Sequence, residues 1–127
     1  MNTVEEMITQ YVIAWNQKDL ASYKREFSKI WAEEAEYIDQ FGHYNNVEEL
    51  ATFAYESLKI IPDRVFEIHK KAEHHHNYGK YEWKATFGGG VNIGVDFFEY
   101  DDNFKITKLV SFFSLPEDYP VEKLGLN

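Results

Sequence analysis

The chain has 127 residues, no cysteine, and 13 basic against 22 acidic side chains, for a formal charge of −9. Its length suits one domain that buries roughly two thirds of its unfolded surface, its charge disfavours nucleic acid and anionic membranes as partners, and its lack of cysteine excludes disulfides and thiol chemistry. No apolar run approaches a membrane span, and Met1 to Met7 lacks a basic stretch followed by an apolar one, so the expectation is a cytoplasmic protein with no membrane partner.

The first half reads as helices. Thr3 and Glu6 have capping-box spacing, and Val4, Met7, Ile8, Tyr11, Val12 and Trp15 recur on one stripe, predicting a helix that ends near Trp15 or Gln17. Asp19 is a good N-cap for a second helix, with Leu20, Tyr23, Phe27, Ile30 and Trp31 on a shared face. A brief strand over Ala35 to Asp39 follows and is stopped by Gly42. Asn46 and Glu49 repeat the capping spacing, opening a third helix through Val47, Leu50, Phe53, Ala54 and Leu58 that ends before Pro62.

From Arg64 the apolar period changes from about 3.6 to 2, which marks the change from helix to sheet. A strand from Val65 to Glu73 leads to an Asn77-Tyr78-Gly79 turn, after which Tyr81, Trp83, Ala85 and Phe87 alternate with Lys80, Glu82, Lys84 and Thr86. Gly88 to Gly90 suits a sharp bend rather than a phosphate loop, because no Lys and Ser/Thr on a helix follow it. Asn92 to Ser114 reads as a long hairpin around Asp101-Asp102-Asn103. Pro116 and Pro120 then leave a tail, 115–127, whose Leu124 and Leu126 suit docking on the domain or a partner. Helices first and an antiparallel meander afterwards predict a single α+β domain over 1–127, with its core at about 3–114. In it, three N-terminal helices pack on a curved, mainly antiparallel sheet that forms a cone-shaped pocket.

Asp96 breaks the pattern of the hairpin. Alternation puts it on the face of Phe98 and Tyr100, where a carboxylate loses hydration unless it is paired or protonated. It is either a pocket acid, held protonated above the ordinary carboxylate range, or a strand-end residue that accepts hydrogen bonds from neighbouring backbone. The 10 Phe, 9 Tyr and 3 Trp are many for this size, and such residues line apolar pockets as well as cores.

Tyr11 to Asp19, Ala35 to Gly42, and Gly94 to Tyr100 with Lys105-Ile106 together resemble the nuclear transport factor 2-like superfamily, in particular its SnoaL-like and ketosteroid isomerase-like members. The resemblance spans about Thr3 to Ser114. It implies a pocket for a hydrophobic small molecule, proton transfer beside a carbonyl of the isomerase or polyketide cyclase type, no cofactor, and a homodimer. By position it assigns Asp39 as the base and Tyr11 and Asp96 as donors to the enolate oxygen, a division the chemistry requires because an ionised carboxylate cannot donate. Trp15, His43, Phe53, Trp83, Phe98 and Phe112 are the candidate ligand contacts, with Tyr44 beside His43 at the pocket mouth. A core role for Tyr11 and a turn-forming role for Asp39 are the plain alternatives. For the chain as a whole, the alternative is a non-catalytic ligand-binding or protein-interaction module of the same fold.

His74 and His76 would share a strand face. Two imidazoles can begin a metal site, but unless His69 or Glu73 approaches there is no third ligand, so a solvated hairpin end and no metal is the expectation.

Overall fold

The computed structural model describes residues 1–114, so the expectation that Leu124 and Leu126 dock lies outside the described residues. The elements are α1 (Val4–Trp15), α2 (Leu20–Ser28), β1 (Trp31–Asp39), β2 (Gly42–Tyr44), α3 (Val47–Ile60), β3 (Val65–His75), β4 (Tyr78–Phe87), β5 (Gly90–Tyr100) and β6 (Ile106–Phe113). All three helices start where a polar side chain accepts from an orphan backbone N–H. Thr3 Oγ1 takes the Glu6 N–H at 3.0 Å, Asp19 Oδ1 takes that of Ser22 at 2.8 Å, and Asn46 Oδ1 takes that of Glu49 at 2.9 Å.

The strands form one sheet in the order β2-β1-β6-β5-β4-β3. β1 runs parallel to β6, and every other neighbouring pair is antiparallel. Among the described residues β2 and β3 are its edges, so the sheet curves without closing. Ladder irregularities accompany the curvature in β1, in β3 and between Glu99 and Tyr100, as extra residues on one strand bend it.

The helices cover the concave face. Met7, Ile8, Tyr11, Phe27, Leu50 and Ala54 are buried against Trp31, Tyr37, Tyr81, Trp83, Phe98 and Leu109 of the sheet. Each fully buried side chain of this size contributes about 2 kcal/mol. The end of α1 is fastened to β3 by Asn16, whose amide donates to Phe66 O and accepts from Phe66 N–H, both at 2.8 Å. At the crossing of β4 and β5, Gly94 leaves room for the Trp83 indole, which a Cβ at that position would overlap.

Several expected boundaries move. The second helix stops at Ser28, and Ile30 and Trp31 lie beyond it, Trp31 as the first residue of a strand that begins four positions earlier than Ala35. Both are buried in either conformation, so burial periodicity alone cannot place that boundary. Glu34, at φ 63°, interrupts the strand between its two pairings with β6. Gly42 opens the short strand β2 instead of only ending β1. The turn after β3 consists of His76 and Asn77, at φ 52° and 66°, a pair suited to a tight hairpin, while Tyr78 and Gly79 already belong to β4. Among the described residues no helix is long and apolar enough to cross a membrane.

Candidate functional site

Between the helices and the sheet lies a cavity of about 100 Å³. Tyr11 and Trp15 of α1, Phe53 and Ser57 of α3, Tyr81 and Trp83 of β4, and Asp96 and Ser111 of β5 and β6 line it, with Asp39, Tyr37 and Arg64. All three residues assigned to proton chemistry therefore face one space.

Asp96 is placed by sheet register. It pairs with Tyr81 on one side and Ser111 on the other, so these three side chains stand in a row on the inner face. The Tyr81 hydroxyl donates to Asp96 Oδ2 at 2.7 Å, and the Trp83 indole N–H donates to Oδ1 at 2.9 Å. The partners are side chains, not the neighbouring backbone. Burial pushes the Asp96 carboxyl up to about 6, against the opposing pull of Ser111, Tyr81 and Trp83, with the nearby charge of Asp39 adding to the rise.

Asp39 sits at the end of β1 and both lines the cavity and shapes the following turn. Its Oδ1 accepts from the N–H groups of Phe41 and Gly42 at 2.7 and 3.2 Å, and its Oδ2 accepts from Tyr37 OH at 2.8 Å. Burial raises its pKa, and the three hydrogen bonds oppose the rise. The charge of Asp39 adds to the rise at Asp96.

Tyr11 is 1 % exposed and its hydroxyl has no hydrogen-bond partner among the described residues. Burial holds its pKa well above the ordinary range, Asp96 and Asp39 adding to the effect, while the Trp15 indole opposes it without reaching hydrogen-bond geometry. A buried hydroxyl without a partner is costly, by about 1 to 3 kcal/mol. A neutral donor with no acceptor, in a cavity with two carboxyls, is complementary to a ligand oxygen.

Trp15, Phe53 and Trp83 line the cavity as expected of ligand contacts. Three others do not. Phe98 is buried to one side, against Tyr81 and Tyr100. His43 is exposed, with Nε2 2.9 Å from Glu36 Oε1. Phe112 is 54 % exposed on the outer face of the sheet, against Phe97. Tyr44 stacks on Phe53 with ring centroids 4.5 Å apart and is also outside the lining. The lining residues that sequence reasoning left without a role include Tyr37, Arg64, Phe66, Ser111 and Phe113. Tyr37 was within reach, because it precedes Asp39 by two positions on a strand and so shares its face. Among the described residues no three His, Cys, Asp or Glu side chains are grouped to hold a metal, and His74 instead meets Glu5 at 3.2 Å.

No family model matches the sequence, and no curated protein matches it either. Solved structures do. A protein of the SnoaL-like family from Agrobacterium tumefaciens, an isomerase by provisional assignment, superposes with a TM-score of 0.79 at 20 % identity over 87 % of this chain and 96 % of its own. A SnoaL-like protein of unknown function from Burkholderia thailandensis gives 0.69 at 16 %, covering 88 % and 94 %. A protein from Sinorhizobium meliloti, provisionally assigned as a polyketide cyclase, gives 0.68 at 16 %, covering 84 % and 94 %. Helices over an open curved sheet are thus the SnoaL-like, nuclear transport factor 2-like fold, and this chain has that fold.

Proposed function

We propose that the chain is a cofactor-independent acid/base enzyme of the isomerase or cyclase kind, acting on a carbonyl compound held in this cavity. The observation that carries the reading is the buried Tyr11 hydroxyl, without a partner among the described residues, in one cavity with two carboxyls whose pKa values burial raises. Asp39, in its ionised form, takes a proton from the carbon next to the carbonyl. The C–H electron pair becomes the enolate C=C, and the carbonyl oxygen becomes an oxyanion that accepts hydrogen bonds from Tyr11 and protonated Asp96. Trp83 can only donate, so Asp96 Oδ1 stays an acceptor and the proton belongs on Oδ2, where the Tyr81 hydroxyl can rotate to accommodate it. Return of the proton to another carbon gives isomerisation. Attack of the enolate carbon on an electrophilic carbon gives cyclisation.

Deuterium exchange into enolisable ketones, followed by NMR, tests this reading. Wild type should accelerate exchange at the carbon next to the carbonyl, and Asp39→Asn should lose the acceleration while still folding. No exchange across a varied ketone panel would leave a ligand-binding module without proton chemistry.

The outer sheet face supports a homodimer. Val91, Ile93, Phe97 and Phe112 are exposed there, on one side of β5 and β6, whereas apolar surface of this kind is usually covered by a partner. Light scattering at tens of micromolar decides between dimer and monomer.

A further inference from the structure

Five rings make a continuous stretch of the cavity wall. Phe53 of α3 meets Trp15 of α1 with ring centroids 6.2 Å apart, Trp15 meets Phe66 of β3 at 5.5 Å, Phe66 meets Trp83 of β4 at 5.7 Å, and Trp83 meets Phe113 of β6 at 5.5 Å. All four contacts are edge-on, the arrangement that aromatic quadrupoles favour.

The middle of this run is also fixed from outside it. Trp15 packs on Phe27 and Tyr37 as well, at 5.6 and 5.7 Å. The Phe66 backbone is held through both its N–H and its C=O by the Asn16 amide. Trp83 is held by its indole bond to Asp96 at 2.9 Å and sits in the space left over Gly94. A wall locked in this way resists swelling around a larger guest, because moving one ring forces its neighbours out of their own positions. The volume that remains is about 100 Å³, whereas an engineered apolar cavity of about 150 Å³ takes up one benzene. A steroid or a fused polyketide exceeds it.

We propose that the cavity takes a carbonyl compound of one ring or less, an open-chain or monocyclic ketone, and that the wall from Phe53 to Phe113 sets this limit. This rests on the reading of the cavity as a carbonyl site and adds the size of what enters it. The limit runs against the ordinary trend. Each further methylene buried tightens apolar binding by about fourfold, so a yielding cavity would favour the larger ketone.

The test compares cyclohexanone, its fused bicyclic homologue 2-decalone, and a four-ring steroid ketone, with binding followed by NMR at the indole N–H resonances of Trp15 and Trp83. Wild type should bind cyclohexanone tighter than 2-decalone by about tenfold or more, and the steroid ketone should not shift these resonances. Phe53→Ala removes one ring from the wall and should reverse the order of the first two. Should that variant fail to fold, Phe53→Leu is the milder change and should narrow the gap. Binding of 2-decalone or the steroid ketone by wild type as tightly as cyclohexanone overturns the proposal, and so does an order that a folded Phe53 variant leaves unchanged. If no ketone shifts either indole, the size limit and the carbonyl site both fall. Deuterium exchange in the same compounds is scored separately: the predicted order without exchange keeps the size limit and defeats the enzyme reading, and exchange in 2-decalone bound as tightly as cyclohexanone does the reverse.

Discussion

Tyr81 and Asp96 stand directly opposite each other on β4 and β5, and the tyrosine hydroxyl donates to Asp96 Oδ2 at 2.7 Å. With Trp83 holding the other oxygen at 2.9 Å, the buried carboxyl is steadied in its ionised form by two donors and opposed in that form by burial. The Trp83 indole N–H resonance should therefore titrate with a midpoint near about 6, while that of Trp31, bonded to Ala35 O, stays flat through the same range. Tyr81→Phe removes a donor to the charged form and should move the midpoint upward. A midpoint that falls, or does not move, would separate Tyr81 from the ionisation of Asp96.

The same carboxyl makes stability depend on pH in a direction opposite to that of an ordinary surface acid. Its pKa rises from 3.8 in the unfolded chain to about 6 in the fold, so the native state holds the proton longer. Below the unfolded value there is no penalty; it grows as pH rises and is complete above the folded value, at about 3 kcal/mol. Asp96→Asn keeps an acceptor for Trp83 and a group that Tyr81 can bond, without the charge. Urea unfolding should show this variant gaining on wild type between pH 4 and pH 7, by up to that amount. A constant difference across the range would mean that the carboxyl is not raised.

Gly94→Ala would place a methyl group in the Trp83 ring. The indole then has to leave its position against Asp96, with an expected loss of about 1 to 3 kcal/mol from overpacking and a change in tryptophan emission. Unaltered emission and stability would show that Trp83 has room to spare.

On the outer face, Phe112 lies against Phe97, their ring centroids 5.9 Å apart, and more than half of Phe112 is open. Phe112→Lys should yield a monomer by light scattering with the fold and cavity intact. A dimer that tolerates this lysine is built on some other surface.

How much of this was legible in the sequence depends on the range over which each feature is encoded. The helix starts are local, set by Thr3, Asp19 and Asn46 and the N–H groups three residues on, and they fall where the spacing placed them. Asp96 announced itself as a carboxyl on an apolar strand face, and the pairing with Tyr81 explains how it is tolerated there. Phe112 illustrates the opposite case. Tyr100 pairs with Ile106, but Glu99 pairs with Lys108, a shift of one residue. Without that irregularity Gly94 would face Phe112, and the phenylalanine would point inward beside Asp96. With it, Ser111 and Phe113 take the inner face and Phe112 turns out, because a single-residue slip exchanges the two faces of a strand. Arg64 carried no local signal either; only tertiary packing places it in the cavity wall.

The pH dependence of ketone deuterium exchange tests the division of labour between Asp39 and Asp96 most directly. kcat/KM reports ionisations of the free enzyme, so it should rise as Asp39 ionises and fall as pH passes through about 6, where Asp96 loses the proton it donates. In Asp96→Asn, whose amide is a donor at every pH, the falling limb should disappear. A wild-type rate that stays level or climbs from pH 6 to pH 8 would show ionised Asp96 to be the active form and would contradict the account.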